Sequence, residues 1–398
     1  MKVIIIRSLT LVRRFLNINN IIVRRISRLG SAALHKMKNI VSNIYCSKLL
    51  LIKKTVHMLK QDYIVAEIHA LLLNNRSLDD LILFLKKQKK FFSSWSAINF
   101  LTNLYAYTKN SEISIKNFNI ENKQTYILHV CSWGASYTDK MIDYLIPSLL
   151  SPNNIPSLYK EYNIVLLIHC DKISMSKLVK SNAIVAIKKY ATVEYSIIPS
   201  ALLAKLKSAE KPFISLFFNN FTNVVMCWKY YLLGCLQNIA MVTAKENRAL
   251  VSFLMPDLLL SGAALTNMLS GIADGKIVAV STTFRSSFSK IKYEIAKYYS
   301  GVVLDISGEK LTKMIVDNMH ESAKTRIVSS HNKNFHLTPQ LIFSYPDKIV
   351  IRSVHYHPML VNFKLVKNLI LSNYYPIDNV FLYNVLDDKI PISDQIWV

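Results

Sequence analysis

The sequence predicts an α/β fold: a mainly parallel sheet flanked by helices, preceded by an α-helical N-terminal region. Three observations predict it. From Tyr126 onward, compact apolar runs each end on a turn residue, as strands covered on both faces do. Between those runs lie segments with the length and spacing of helices, and strands alternating with helices make parallel sheets. Before residue 121 the pattern is helical only.

The 398 residues leave room for two or three domains. Half are hydrophobic (51%) and only 19% are charged, so a large core is available. The formal net charge is +24. Lys, Asn, Ile and Tyr are all abundant, a drift that supplies lysines without electrostatic purpose. The surplus is nevertheless uneven, because no Asp or Glu occurs from Met1 to Gln61. A one-sided block of this kind suggests an acidic partner such as anionic lipid or nucleic acid.

The first residues alternate apolar clusters with basic ones (Arg7, Arg13-Arg14, Arg24-Arg25). They contain no apolar stretch of spanning length and no small-residue cleavage pattern. Two readings stand: a basic amphipathic helix lying on a membrane surface, or ordinary helices with solvated basic faces. Val56, Leu59, Tyr63, Ile64 and Ile68 fall at helical spacing, Ser77 to Asp80 resembles a capping box, and further helices are expected over Ile82 to Phe92 and Trp95 to Tyr107. The polar segment Thr108 to Lys123 reads as a linker. The expected division is therefore residues 1–120, a basic helical region, and residues 121–398, the α/β domain.

Within the second part, strands are expected at Tyr126 to Cys131, Asn163 to His169, Ala191 to Ile198, Leu250 to Met255 and Lys276 to Ser281. Helices are expected through Leu150, around Ser174 to Lys180, over Asn223 to Asn247 and over Ala263 to Ala273. Asp171 and Asp257 each follow the end of a strand, where α/β sheets bind their ligands. Asp257 serves either there or as the cap of the helix starting near Ser261.

Several chemistries are excluded or weakened. Eight glycines and no GxGxxG or GxxxxGK[ST] leave no glycine-rich phosphate loop. Gly-x-Ser-x-Gly is missing. Five scattered cysteines without a CxxC pair give no zinc or thioredoxin-like motif and point to a reducing, cytoplasmic compartment. His129 and Cys131 share a strand face, and their burial in the sheet outweighs a nucleophile–base pair. His355 and His357 also share a face, which permits a common metal contact or a donor-phosphate contact. The aromatics beside Lys229 are better explained by core packing than by specific nucleic-acid binding.

Four segments together resemble an uncharacterised bacterial family related to GT-A glycosyltransferases. They are Trp133-Gly134; Ile146-Pro-Ser-Leu-Leu-Ser-Pro-Asn-Asn-Ile-Pro156; Phe253-Leu-Met-Pro-Asp257 with Ser261-Gly262; and Val354-His-Tyr-His-Pro-Met-Leu-Val361. The resemblance covers about residues 126–398. It implies a GT-A-like, Rossmann-like domain that transfers a sugar, of hexosyltransferase type, from a nucleotide-sugar donor to a glycan, lipid or protein acceptor in bacterial surface glycan synthesis. It implies donor contacts from Trp133, Gly134, Asp171 and Asp257, with Lys245 or Arg248 as basic donor contacts that stabilise the leaving group where no metal does. A divalent metal, manganese or magnesium, would be held by Asp257 with His355 or His357, because a hard cation on oxygen ligands neutralises the departing diphosphate. A second acidic residue expected at position 259 is Leu259 here. The alternative is therefore a catalytically degenerate scaffold or interaction protein. A cytoplasmic location, peripheral to the inner membrane face through the basic N-terminus, suits either reading.

Overall fold

The computed structural model describes residues 103–104, 107, 118, 122–209, 228–273, 275–281, 285–324, 326–328, 340–345, 349–353, 358–367 and 396–397. They all fall in Leu71–Val398, one of the two compact units of the chain. The expectations for the basic segment Met1 to Gln61, for the helices up to Phe92 and for His355 and His357 lie outside the described residues.

The chain enters the domain through β1 (Gln124–Ser132), whose residues after the first are all buried. Helix α1 (Ala135–Lys140) runs on through a π turn (Met141–Leu145) into α2 (Ile146–Leu149). Pro147 has no N–H to give the carbonyl four residues back, and the Tyr299 hydroxyl donates to that carbonyl of Asp143. A short α3 (Ile155–Leu158) leads to β2 (Tyr162–Cys170), which is as buried as β1. Next come α4 (Lys172–Val179), α5 (Asn182–Ile187), β3 (Thr192–Ile197), α6 (Ser200–Ala209) and the long α7 (Trp228–Glu246). The second half holds β4 (Leu250–Leu254), α8 (Ala264–Ala273), β5 (Val278–Val280) and α9 (Phe288–Ile295). A small hairpin, β6 (Tyr299–Ser300) with β7 (Val303–Leu304), precedes α10 (Gly308–Asp317) and α11 (Glu321–Lys324). β8 (Ile327–Val328), β9 (Gln340–Ser344) and β10 (Ile349–Ser353) form a separate small sheet; β11 (Met359–Asn362) and β12 (Ile396–Trp397) return to the main one.

The main sheet has seven strands in the order β12-β5-β11-β4-β1-β2-β3. The pairs β1–β2, β2–β3, β1–β4 and β5–β12 are parallel. β11 lies antiparallel between β4 and β5, which places β4 and β5 in the same direction. The mixed α/β architecture with a mainly parallel sheet is thus as expected. The antiparallel insertion was not foreseen, because a four-residue buried run looks the same in either direction.

Both faces of the sheet are covered, which is why its strands are apolar throughout rather than alternating. On one face Tyr126, Leu128, Val130, Leu166 and Ile168 pack with Met141, Leu145, Leu149 and Leu269. On the other, Ile127, Val165, Val251 and Phe253 pack against Ala240, Met241 and Ala244 of α7. Small residues on α7 let that helix lie close to the strands. Among the described residues, no helix is long and apolar enough to cross a membrane.

Candidate functional site

In the order β3-β2-β1-β4 the chain steps one way from β1 to β2 and β3, then crosses to the other side of β1 for β4. Loops leaving β1 and β4 therefore diverge at their carboxyl ends and open a crevice, the place where such sheets bind ligands. Trp133-Gly134 follows β1, Asp171 follows β2 and Asp257 follows β4. The fold brings these four residues to one edge of the sheet.

Gly134 has φ +83 and nothing within 4 Å of where a Cβ would sit, so its backbone angle, not space, favours glycine. Its N–H donates to the Asp171 carboxylate at 2.9 Å. The same carboxylate accepts the Ser174 N–H and the Ser174 hydroxyl, each at 2.8 Å, and so caps α4. The buried Thr138 hydroxyl donates to Ser174 at 2.8 Å, and the Thr138 N–H donates to the Gly134 carbonyl at 3.2 Å. Partial burial raises the Asp171 carboxyl, but bonds from Ser174, Gly134 and Ile173 outweigh it and hold the group below the ordinary carboxylate value. Asp171 thus braces the two loops against each other. Thr138 and Ser174, its partners, carried no sequence signal beyond a helix-start pattern.

Asp257 is different. Its carboxylate is 41% exposed and stands 3.8 Å from the Lys140 ammonium. Lys140 also lies over the Tyr137 ring, 5.4 Å from its centroid. Tyr137, Lys140 and Asp257 thus form one accessible cluster at this edge, and half-buried Trp133 follows β1 there. Lys140 escaped the sequence reading, since one lysine at a helix end is unremarkable in so lysine-rich a chain.

The loop after β4 is held by the string Ser148 to Asn154. Ser148, Ser151 and Asn154 are fully buried. The Leu260 N–H donates to the Ser148 hydroxyl at 3.3 Å. The Ser151 hydroxyl donates to the Gly262 carbonyl at 3.1 Å and lies 2.6 Å from Asp305 Oδ1. The Asn154 amide donates to the carbonyls of Ser148 and Ser261, both at 2.9 Å, and its oxygen accepts the Leu265 N–H at 3.0 Å. Asn154 therefore caps α8 from another part of the chain. The reading of Asp257 as that helix's cap is corrected: Asp257 faces Lys140 instead. At Gly262 a Cβ would fall 2.3 Å from Asp305 Oδ1 and 3.0 Å from Ser151 Oγ, so any side chain there would displace the Asp305 carboxylate from its place beside Ser151. Leu259 packs on the apolar cluster of Ile291, Ile295 and Leu304. That contact explains why the position carries leucine rather than a second carboxylate.

Lys245 and Arg248 do not join the crevice. They precede β4, whereas Asp257 follows it, and five residues of strand span about 17 Å. The Lys245 ammonium donates to the Val366 carbonyl, and Arg248 forms an exposed left-handed turn with φ 50. Asp257 has no described His partner, and no group of three His, Cys, Asp or Glu able to hold a metal gathers among the described residues.

His129 and His169 lie on the α7 face of β1 and β2, fully buried, with ring centroids 5.0 Å apart. Burial pushes His169 down to about 3. Burial, with His169 nearby, also holds His129 well below its usual value. Cys131 approaches His129 Nε2 at 3.5 Å, yet burial and then Cys170 push its thiol well up. A neutral buried thiol is a poor nucleophile, so burial in the sheet is the role of this pair, as expected.

No protein-family model matches the chain, and no curated protein matches it. Among solved structures it is similar to mouse xyloside xylosyltransferase 1 in its apo form, with 11% identity, TM-score 0.32, and 69% of this chain and 84% of that one covered. It is also similar to the mannosyltransferase Ktr4p of S. cerevisiae in complex with GDP, with 13% identity, TM-score 0.29 and 84% of each chain covered. The same mannosyltransferase without that ligand gives 11% identity and TM-score 0.28 over 81% of each chain. Overlaps this weak do not by themselves fix fold or activity.

Proposed function

We propose that the chain is a glycosyltransferase whose nucleotide-sugar donor lies across the carboxyl ends of β1 and β4. The observation that supports this reading is the switch point itself, where an exposed carboxylate stands beside an ammonium that lies over the Tyr137 ring. The string and strand-end motifs that resemble GT-A enzymes frame that same crevice. In the reaction the anomeric carbon–oxygen bond breaks and the electron pair leaves with the nucleoside diphosphate. An acceptor hydroxyl oxygen forms the new bond as its proton passes to the departing diphosphate or to water. Lys140 faces the side where negative charge develops, and a positioned cation there stabilises the transition state. Trp133 offers a ring face to the donor's base or sugar. Gly134 and Asp171 position the loop that carries Trp133.

The described residues do not make a manganese or magnesium site: Asp257 is a single ligand and faces Lys140. His355 and His357 keep the metal as a question for experiment. The acceptor, in our reading a glycan, lipid or protein of a bacterial surface glycan route, and a peripheral contact of Met1 to Gln61 with anionic membrane, extend the proposal. Co-sedimentation with anionic vesicles at low salt tests the membrane contact, and failure to bind removes it.

Two observations favour a second reading, an inert scaffold of the same shape. Leu259 is committed to an apolar cluster, and Asp171 is committed to its cap. Thermal denaturation with uridine or guanosine diphosphate, with and without manganese, separates the two. A ligand held only by the folded chain raises Tm by mass action. The transferase reading expects stabilisation that Lys140→Ala weakens; metal dependence lost in Asp257→Ala would restore the metal. No stabilisation by either nucleotide selects the scaffold.

A further inference from the structure

The opposite edge of the sheet carries a second concavity, which the crevice does not use. It is an open depression of about 480 Å³ at the amino ends of β1, β2 and β3, lined among others by Lys123, Lys188, Lys189, Tyr159, Tyr162 and Tyr190. That volume is within the range of small-ligand pockets, roughly 300–1,000 Å³. Its lining is rich in cations, with three lysines and no Asp or Glu, and the Glu161 carboxylate acts on the Tyr162 hydroxyl from outside the lining. Lys123 is tethered, donating to the Tyr159 carbonyl at 3.1 Å. Lys188 and Lys189 are exposed at the end of α5. The three tyrosines are half-buried, and the rings of Tyr159 and Tyr190 meet edge to face at 5.2 Å, a fixed pair rather than two loose side chains.

We infer that this pocket binds a ring compound bearing a phosphate, with the phosphate on Lys188, Lys189 and Lys123 and the ring against the tyrosines. The argument is a division of labour. Ammonium groups bind phosphate as point charges without selecting what it is attached to. Rigid aromatic walls with hydroxyl tips select a flat, hydroxylated ring and supply contact area at little entropic cost. A phosphosugar and a nucleoside monophosphate share this chemistry. The inference does not rest on the transferase reading, since the pocket and the crevice occupy opposite edges of the sheet.

The test is calorimetric titration of the full chain at low salt with glucose 1-phosphate, uridine monophosphate, inorganic phosphate and glucose. At least one ring phosphate should bind, with inorganic phosphate and glucose each about tenfold weaker or more. Lys188→Glu with Lys189→Glu should weaken that binding by at least about tenfold. The charge-matched pair Lys290→Glu with Lys292→Glu, exposed on α9, should not change it. Whichever of the two ring phosphates binds more tightly names the source. Inorganic phosphate binding as tightly as both would reduce the pocket to a charged patch and overturn the inference. So would ring-phosphate binding that survives the Lys188 and Lys189 changes, or no binding of either ring phosphate. Asp257→Ala leaves this pocket intact, so its failure and that of the crevice are read separately.

Discussion

The two edges of the central sheet are built on different principles. At the carboxyl edge the loops are locked by buried polar side chains: Asn154, Ser148 and Ser151 hold one loop, and Asp171 with Ser174 and Thr138 holds the other. Its few uncommitted charges, Lys140 and Asp257, stand on that fixed frame. At the amino edge the turns are short and cations outnumber carboxylates: Lys123, Lys188, Lys189, Lys245 and Arg248 stand there with Glu161 and Glu246. A net charge of +24 reveals none of this. Which edge a lysine reaches decides what it can do, and strand direction sets the edge.

The comparison breaks most visibly in acid. His129 and His169 lie toward the carboxyl ends of β1 and β2, buried and neutral. Their ordinary value is near 6.5, and burial takes His169 to about 3. Above pH 6.5 neither state is protonated and the pair has no effect. As pH falls below 6.5 the unfolded chain takes up protons that the folded chain refuses, so stability drops progressively toward pH 3. The loss over that window is on the order of several kcal/mol. Urea denaturation at stepped pH should show it, and His169→Leu should flatten the slope. An unchanged slope in that variant would place the acid sensitivity elsewhere.

Next in size is the lock on the β4 loop. Asn154→Ala deletes two buried hydrogen bonds and one part-buried one, and leaves two carbonyls and one N–H without that partner. Each orphaned buried group costs about 1–3 kcal/mol, so a loss of roughly 3 kcal/mol is expected in urea denaturation at pH 7. A loss under about 1 kcal/mol would show that the frame is less rigid than its hydrogen bonds imply. Asp171→Ala should cost less, about 1 kcal/mol, as the loss of a helix cap does. Because the Asp171 carboxyl is held below its ordinary value, its contribution is present above the unfolded value near 3.9 and disappears as pH falls through the lower folded value. The deficit of Asp171→Ala relative to wild type should therefore shrink only in strong acid.

Much of the frame was legible in the sequence, and the reason is physical. Buried strands such as Gln124–Ser132 and Leu250–Leu254 announce themselves as short apolar runs, and the helices between them follow from spacing. The carboxylates Asp171 and Asp257 were found because strand ends are where ligands bind. The Asp171 cap is local, with Ser174 three residues on, but its tie to Gly134 and the pairing of Asp257 with Lys140 join residues more than thirty apart, so their different fates were not legible. The string Ser148 to Asn154 stood out as a motif, but its role as a clasp on residues beyond 260 needed the fold. Lys245 and Arg248 were expected near the departing diphosphate as basic residues, but they precede β4 and Asp257 follows it, so the strand sets them at the far edge.

The smallest stability effect carries the sharpest functional contrast. Lys140 and Asp257 are each more than a third exposed, and an exposed ion pair contributes about 0–1 kcal/mol. Lys140→Ala should therefore leave urea denaturation nearly unchanged. If the crevice receives a diphosphate, the same substitution should weaken the thermal stabilisation given by uridine or guanosine diphosphate by about tenfold in apparent affinity, the scale of a charge-assisted bond. Lys245→Ala, at the other edge, should leave that nucleotide effect intact even if it loosens the contact with Val366. Equal effects of the two substitutions on nucleotide binding would mean that general positive charge, rather than position at the carboxyl edge, attracts the ligand. The distinction between the two edges would then have no functional content.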